Sequence, residues 1–390
     1  MIANPQAIAD RGIAALRRGD ARAARLAFEQ LETAGQGSHQ LRLLLAQACT
    51  MLDDRPAAHR ALDRVIAEEP TNLHALIMRG DLLTRDQDLR AAGTWYQAAL
   101  AQAPRAGPLP PDLIAALRRA EAAVQAAAAA FQSHLDNHLA AAGISAADAG
   151  PRFSEALEIL AGRAEVQLQR PTSFYYPGLS QRAFFDRADF DWAEAMEAMA
   201  PAIRAELTAV LADDQALNPY VVAEENRPAK RHPLLDDPRW SAYHFYRGGE
   251  PVAGTAECCP ATVAALNLAP IPRIKGRSPM ALFSVLKPHT HIPPHHGMLN
   301  TRLICHLPLI VPSGCRLRVG NHVQTVEQDR LMMFDDSIEH EAFNDSDATR
   351  VVLLFEIWRP DISAAERKAL TTLYEAISLY GPSAEDQAGA

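Results

Sequence analysis

Cysteine is scarce in this chain. The five present among 390 residues, Cys49, Cys258, Cys259, Cys305 and Cys315, are odd in number and form no CxxC spacing. That suits a reducing compartment better than a disulfide framework and argues against structural zinc. Positive charge is also in deficit. With 38 Lys and Arg against 47 Asp and Glu the net charge is −9 and the pI about 5.9, so no basic face exists for a phosphate backbone and no nucleic-acid partner is expected. The one small basic run, Arg227 to His232, reads as a solvated loop. No window reaches the roughly 18 uninterrupted apolar residues of a membrane helix, and residues 1–10 lack an apolar segment behind a basic start. The expectation is a cytoplasmic protein with no membrane partner.

At 390 residues the chain should form two domains. Its first hundred residues repeat with a shift of 34, which brings Asp20, Asp54 and Asp88 into register. The small pairs Ala23-Ala24, Ala57-Ala58 and Ala91-Ala92 follow, then Phe28, Leu62 and Tyr96; upstream, Gly12, Ala46 and Gly80 align. Small residues let antiparallel helices approach, and the large residue four positions beyond each pair is expected to fill the groove against the next hairpin. Pro70 and Pro104 close the second and third units. The pattern resembles the tetratricopeptide repeat, which implies a short helical solenoid that binds peptides along its concave face. Residues 104–111 are a Pro-rich break, and 112–142 read as an Ala-rich helical connector.

From about Phe153 the helical Ala/Leu/Arg pattern gives way to aromatics, prolines and short β-branched runs. Candidate strands lie at 280–287, 302–311, 316–320, 330–334 and 350–358, separated by Pro, Gly, Asn and Asp. A last helix, about 363–378, is expected to pack outside them. The fold class is therefore α+β and multidomain: a tetratricopeptide-like α-helical solenoid, then a double-stranded β-helix of jelly-roll or cupin-like type. The expected boundaries are 1–105 for the repeats, 106–150 for the connector, 151–366 for the barrel and 367–390 for a terminal helix and tail.

The densest set of possible ligands is His289-Thr290-His291-Ile292-Pro293-Pro294-His295-His296. A second site, Phe334-Asp335-Asp336-Ser337-Ile338-Glu339-His340, falls where a strand should end in a tight turn, and Arg350 opens the most apolar strand ten residues later. A mononuclear iron oxygenase needs few protein ligands, because co-substrate and O₂ occupy the remaining octahedral positions. An arginine one strand along supplies a bidentate anchor for the distal carboxylate of a 2-oxo acid.

On these residues the chain resembles the aspartyl/asparaginyl β-hydroxylases, a branch of the Fe(II)/2-oxoglutarate dioxygenases. The resemblance spans roughly residues 153–362. It rests on Pro177-Gly178-Leu179, Ser284, Pro288-His289-Thr290-His291, Pro294-His295-His296-Gly297, the segment Phe334 to Glu341, Arg350 and Trp358-Arg359-Pro360. It implies His295 and His340 as the two iron ligands, with water at the place where Gly297 replaces the carboxylate of most relatives in the wider superfamily. It further implies Arg350 on the distal carboxylate of 2-oxoglutarate, Ser284 and His306 on the same molecule, and Trp240 in the pocket wall. Fe(II), 2-oxoglutarate and O₂ are the implied cofactor and co-substrates. Succinate and CO₂ would accompany hydroxylation of an aspartyl or asparaginyl residue in a peptide or protein.

One position departs from the family. The strand usually carries a second arginine two residues before His306, associated with the substrate carboxylate, and here that residue is Ile304; Arg302 is the candidate substitute. Arg302, Ile304 and His306 would share one strand face. Of the remaining histidines, His289 and His291 are expected to orient their loop by hydrogen bonding and His296 to point away from His295. Asp335 and Asp336 are read as groups that hold the turn of His340. Alternatives are a free amino acid or carrier-bound small molecule as substrate, a non-catalytic adaptor, and a zinc cupin that recruits His289 or His291. The family includes hydroxylases of lipid acyl chains, which a chain with a peptide-binding type of solenoid and no membrane anchor fits poorly.

Overall fold

The computed structural model describes residues 4–213, 216–223 and 232–380. Two compact units meet between Ala164 and Glu165. The change in character at Phe153 therefore runs ahead of the boundary, because the helix Pro151–Leu160 belongs with the first unit. Among the described residues no helix is long and apolar enough to cross a membrane.

The first unit is three helical hairpins, α1 (Pro5–Arg17) with α2 (Ala21–Thr33), α3 (His39–Met51) with α4 (Arg55–Glu68), and α5 (Leu73–Arg85) with α6 (Leu89–Gln102). The 34-residue register has a local cause. Asp20, Asp54 and Asp88 are the N-caps of α2, α4 and α6, and their carboxylates accept from the amides of Ala23, Ala57 and Ala91 at 3.0, 3.1 and 3.0 Å. Those amides have no partner within the helix, so each aspartate starts a helix where the chain has just turned. Gly12 and Gly80 are required by closeness: a Cβ at either would collide with the ring of Phe28 or Tyr96. Phe28 thus meets its own hairpin first, a correction to its expected place against the next one, although the cluster it joins also holds Leu45 and Ala46 of α3. The long helix α7 (Pro111–Ala141) buries Leu113, Leu117 and Ala120, spaced by four and three residues. That stripe closes the open side of the last hairpin in a core with Leu73, Leu76, Ile77 and Tyr96.

Among its described residues the second unit holds twelve strands: β1 (Phe184–Phe185), β2 (Asn218–Pro219), β3 (Trp240–Arg247), β4 (Glu250–Pro251), β5 (Ala281–Leu286), β6 (Thr290–His295), β7 (Arg302–Ile310), β8 (Cys315–Val319), β9 (His322–Thr325), β10 (Met332–Phe334), β11 (His340–Asn344) and β12 (Arg350–Trp358). The larger sheet has the order β1-β10-β7-β12-β5-β3-β2, with β4 on β3, and the smaller one the order β6-β11-β8-β9. All pairings between these strands are antiparallel. This is the expected jelly roll.

Strands β5, β7 and β12 read as continuous apolar runs because both faces of the larger sheet are covered. Leu303, Cys305, Leu307, Val351, Leu353 and Phe355 face helical residues such as Ile203 and Leu207. Leu282, Ile304, Val352 and Leu354 face Ile292, Leu317 and Ala342 of the smaller sheet. The last helix, Ala364–Tyr380, buries Leu370 and Tyr374 against Ile274, Leu299 and Ile362.

Strands β6 and β11 stand outside the expected set, and β6 shows why. Pro293 and Pro294 disguise it, yet proline is tolerated at a sheet edge, and β6 pairs only with β11.

Candidate functional site

Pairing of β6 with β11 sets His295 opposite His340, and their rings lie 4.1 Å apart between centroids. Each ring is oriented by the same device. The Nδ1 atom of His295 lies 2.7 Å from the carbonyl of Pro293, and that of His340 lies 3.0 Å from the carbonyl of Ile338. A carbonyl only accepts, so each Nδ1 carries the proton and each Nε2 keeps a lone pair. Burial lowers the His295 pKa to about 4 and holds that of His340 well below the ordinary histidine range, so both imidazoles are neutral.

The turn before β11 is held by buried charge. Asp335 accepts from Arg359 at 2.5 Å, from Gln169 at 2.6 Å and from the Ser337 hydroxyl at 2.5 Å. Asp336 accepts from Arg302 at 3.4 Å, and its carboxylate occupies the space where a side chain at residue 297 would stand. The glycine at 297 and the aspartate at 336 are thus one steric choice.

The opposite wall comes from inward-facing positions of the larger sheet: Trp240 on β3, Ser284 on β5, His306 on β7 and Arg350 on β12. The Trp240 indole donates to the Ser284 hydroxyl at 3.1 Å and stacks on Tyr220 with centroids 4.2 Å apart. Arg350 is only 2 % exposed, and burial pushes its pKa down to about 10. One of its terminal nitrogens lies 3.4 Å from His306 Nδ1. Burial, with Arg350 next, keeps His306 neutral. The Nε of Arg350 has no partner, and among the described residues no carboxylate pairs with this guanidinium. The other two fully buried arginines of the barrel each have one: Arg359 on Asp335 at 2.5 Å and Arg302 on Glu356 at 2.9 Å.

Together these groups line a small cavity of about 30 Å³, completed by Ile292, Ile304, Leu317, Phe334, Asp336, Ala342 and Leu354. The two sheets thus bring together His295, His340, Ser284, His306, Arg350 and Trp240. Arg302 is buried but is no part of the lining. Its expected role is corrected by its engagement with Glu356 and Asp336. His289 and His291 turn to carboxylates, on Asp347 at 2.9 Å and Glu341 at 2.6 Å, which removes the histidines that a zinc cupin would recruit. Among the described residues no group of three or more His, Cys, Asp or Glu is placed to hold an ion. Of the basic run, residues 227–231 lie outside the described residues, and His232 lies 6.0 Å from the Trp240 ring. Sequence reasoning missed the apolar lining and Gln169. The lining had a signal, the alternation along β7 and β12; Gln169 had none, since 166 residues separate it from Asp335.

Fold and cavity define a jelly-roll barrel with two neutral imidazoles on one sheet facing an uncompensated guanidinium on the other. Residues 197–360 match the family model described as Aspartyl/Asparaginyl beta-hydroxylase. An ornithine lipid ester-linked acyl 2-hydroxylase of Rhizobium tropici is 34% identical over 188 residues, 47% of this chain and 63% of that protein. The human aspartyl/asparaginyl beta-hydroxylase is 30% identical over 173 residues, covering 44% of this chain and 21% of its own length. Mouse aspartate beta-hydroxylase domain-containing protein 2 is 31% identical over 216 residues, 54% of this chain and 61% of that protein. In each case the match spans less than two thirds of the relative.

Proposed function

We propose that the barrel is an Fe(II)- and 2-oxoglutarate-dependent hydroxylase. The observation that carries this is Arg350, a buried cation with no carboxylate partner among the described residues, which shares a cavity with two neutral imidazoles. A buried charge is costly until it is paired, so such a residue calls for an anionic ligand. In this reading His295 and His340 hold the iron through their Nε2 lone pairs. Catalytic zinc sites keep three protein ligands, whereas two donors leave the open positions that an octahedral ferrous ion needs for co-substrate and O₂.

The planar fork of Arg350 takes the distal carboxylate of 2-oxoglutarate through two parallel hydrogen bonds. Arginine only donates, so His306 accepts at Nδ1 and has Nε2–H free to donate to the same molecule. Trp240 occupies one lone pair of Ser284 and leaves its O–H to donate likewise. Gly297 with Asp336 leaves the third protein position to water, beside a carboxylate that can accept from it. Bound there, Fe(II) with 2-oxoglutarate and O₂ supplies the oxidant that hydroxylates carbon, with succinate and CO₂ as co-products. The apolar wall of Ile292, Leu317, Phe334 and Leu354 excludes water and strengthens each of these polar contacts. The tetratricopeptide-like repeats make a peptide or protein of the aspartyl/asparaginyl type the first substrate to try, ahead of a free amino acid or carrier-bound small molecule. The cytoplasm is the proposed location.

The test is succinate release from 2-oxoglutarate by the iron-loaded full chain. In His340→Ala both iron content and succinate release should fall, the latter by more than about 100-fold, since even groups that only support a metal ligand are worth 10- to 100-fold. A fully active His340→Ala would show the ligand assignment to be wrong. A non-catalytic adaptor would instead bind 2-oxoglutarate and release no succinate.

A further inference from the structure

We infer that the group this cavity receives for hydroxylation is uncharged, an amide or aliphatic segment, and that a carboxylate is rejected there. The inference rests on the proposed use of the site and concerns the part of the cavity left over once 2-oxoglutarate is held.

The charges around the cavity are few. Arg350 is the one guanidinium in its lining, and His306 and Ser284 are the neutral polar groups on the same wall. With these engaged by the co-substrate and His295 and His340 by iron, what remains is Trp240, Ala342, Asp336 and the apolar wall of Ile292, Ile304, Leu317, Phe334 and Leu354. No cation is left among the described residues of the lining. Ile304 occupies the inward position on β7 between Arg302 and His306 and pairs in register with Phe334 on one side and Glu356 on the other.

Arg302, one inward position away, does not stand in. Glu356 holds it at 2.9 Å and Asp336 at 3.4 Å, while the other oxygen of Glu356 accepts from the Met280 amide at 2.9 Å. An entering carboxylate would be desolvated against apolar carbon, with no cation among the described residues of the lining to offset that cost. An amide or a hydrocarbon segment brings no charge to be compensated.

The experiment uses the full chain loaded with Mn(II) in place of iron, so that no turnover intervenes, and calorimetric titration as the readout. 2-Oxoglutarate is titrated first; if it does not bind, the proposed function itself fails, and the substrate question is separate. With 2-oxoglutarate saturating, three blocked amino acids are titrated: N-acetyl-asparaginamide, its charged isostere N-acetyl-aspartamide, and N-acetyl-leucinamide. The expected result is that at least one neutral probe binds at least about tenfold more tightly than the charged one, the scale of a single unfavourable charge contact. The order should reverse in Ile304→Arg, which places a guanidinium at the vacant position. An aspartyl preference in the wild-type chain, equal affinities, or no binding of any probe would overturn the inference. Ile304→Gln, similar in reach and without charge, should leave the neutral preference intact. If it too reversed the order, charge would not be the cause.

Discussion

The two units use ionic groups in opposite ways. In the repeats, ion pairs lie near the surface, within and between hairpins: Arg25 bridges Glu29 of its own helix and Asp54 of the next hairpin, Arg42 bridges Glu32 of the preceding hairpin and Glu68 of its own, and His39 meets Glu68. Each side chain there keeps access to water, and such pairs contribute little individually. In the barrel, Arg302, Arg350 and Arg359 are all buried. Two are matched by carboxylates and hold the turn of His340; the third is unmatched and faces the cavity. The difference teaches where to look for function: a charge that folding desolvates without compensating is one that a ligand is positioned to complete.

That comparison can be broken most severely at the matched pair. Arg359→Met strands Asp335 in the core and should destabilise the chain by about 3–5 kcal/mol, the usual cost of removing one partner of a buried pair, read as a lower midpoint in urea. Arg350→Met should do the reverse. Without 2-oxoglutarate its stability should equal or exceed that of the wild type, while the stabilisation that 2-oxoglutarate confers disappears; a large loss of stability in this variant would mean that Arg350 has a structural partner. In the repeats the sensitive feature is closeness, not charge. Gly80→Val drives a side chain into Tyr96 and should cost about 1–3 kcal/mol, visible as faster hydrogen exchange in α5 and α6 with succinate release unchanged.

The smallest effect should come from His39. Glu68 and Glu69 beside it hold its pKa above the ordinary value. A raised pKa in the folded state means that this contribution is complete below the unfolded value of about 6.5 and is lost as pH rises through the folded value. Exchange protection of α3 should therefore decline slightly over that interval, and His39→Gln should flatten the decline. A decline in the opposite direction would show that the imidazole is not held protonated by its neighbours.

Much of this was legible in the chain. The 34-residue spacing of Asp20, Asp54 and Asp88 is local information, because a helix cap needs only the amides three residues on. The apolar runs of β5, β7 and β12 were likewise visible, since a strand covered on both faces is predominantly apolar and its few polar residues stand out. His295, His340 and Arg350 were legible as residue types at telling spacings, and the fold brings all three to one cavity. The strands that carry the two histidines were not: Pro293-Pro294 suppressed the strand signal of β6, and β11 follows a turn whose shape depends on Arg359 and Gln169, distant in the chain.

By itself, then, the sequence determined the repeat register, the most apolar strands, the class of barrel and the chemically competent side chains, because capping, periodicity and residue chemistry act over a few positions. Only the tertiary structure decided which charges found partners. Arg302 and Arg350 look alike in the sequence, each opening an apolar strand. Sheet pairing gives one of them Glu356 from the neighbouring strand and leaves the other facing the cavity with no carboxylate. Long-range register makes that distinction, and no local pattern contains it.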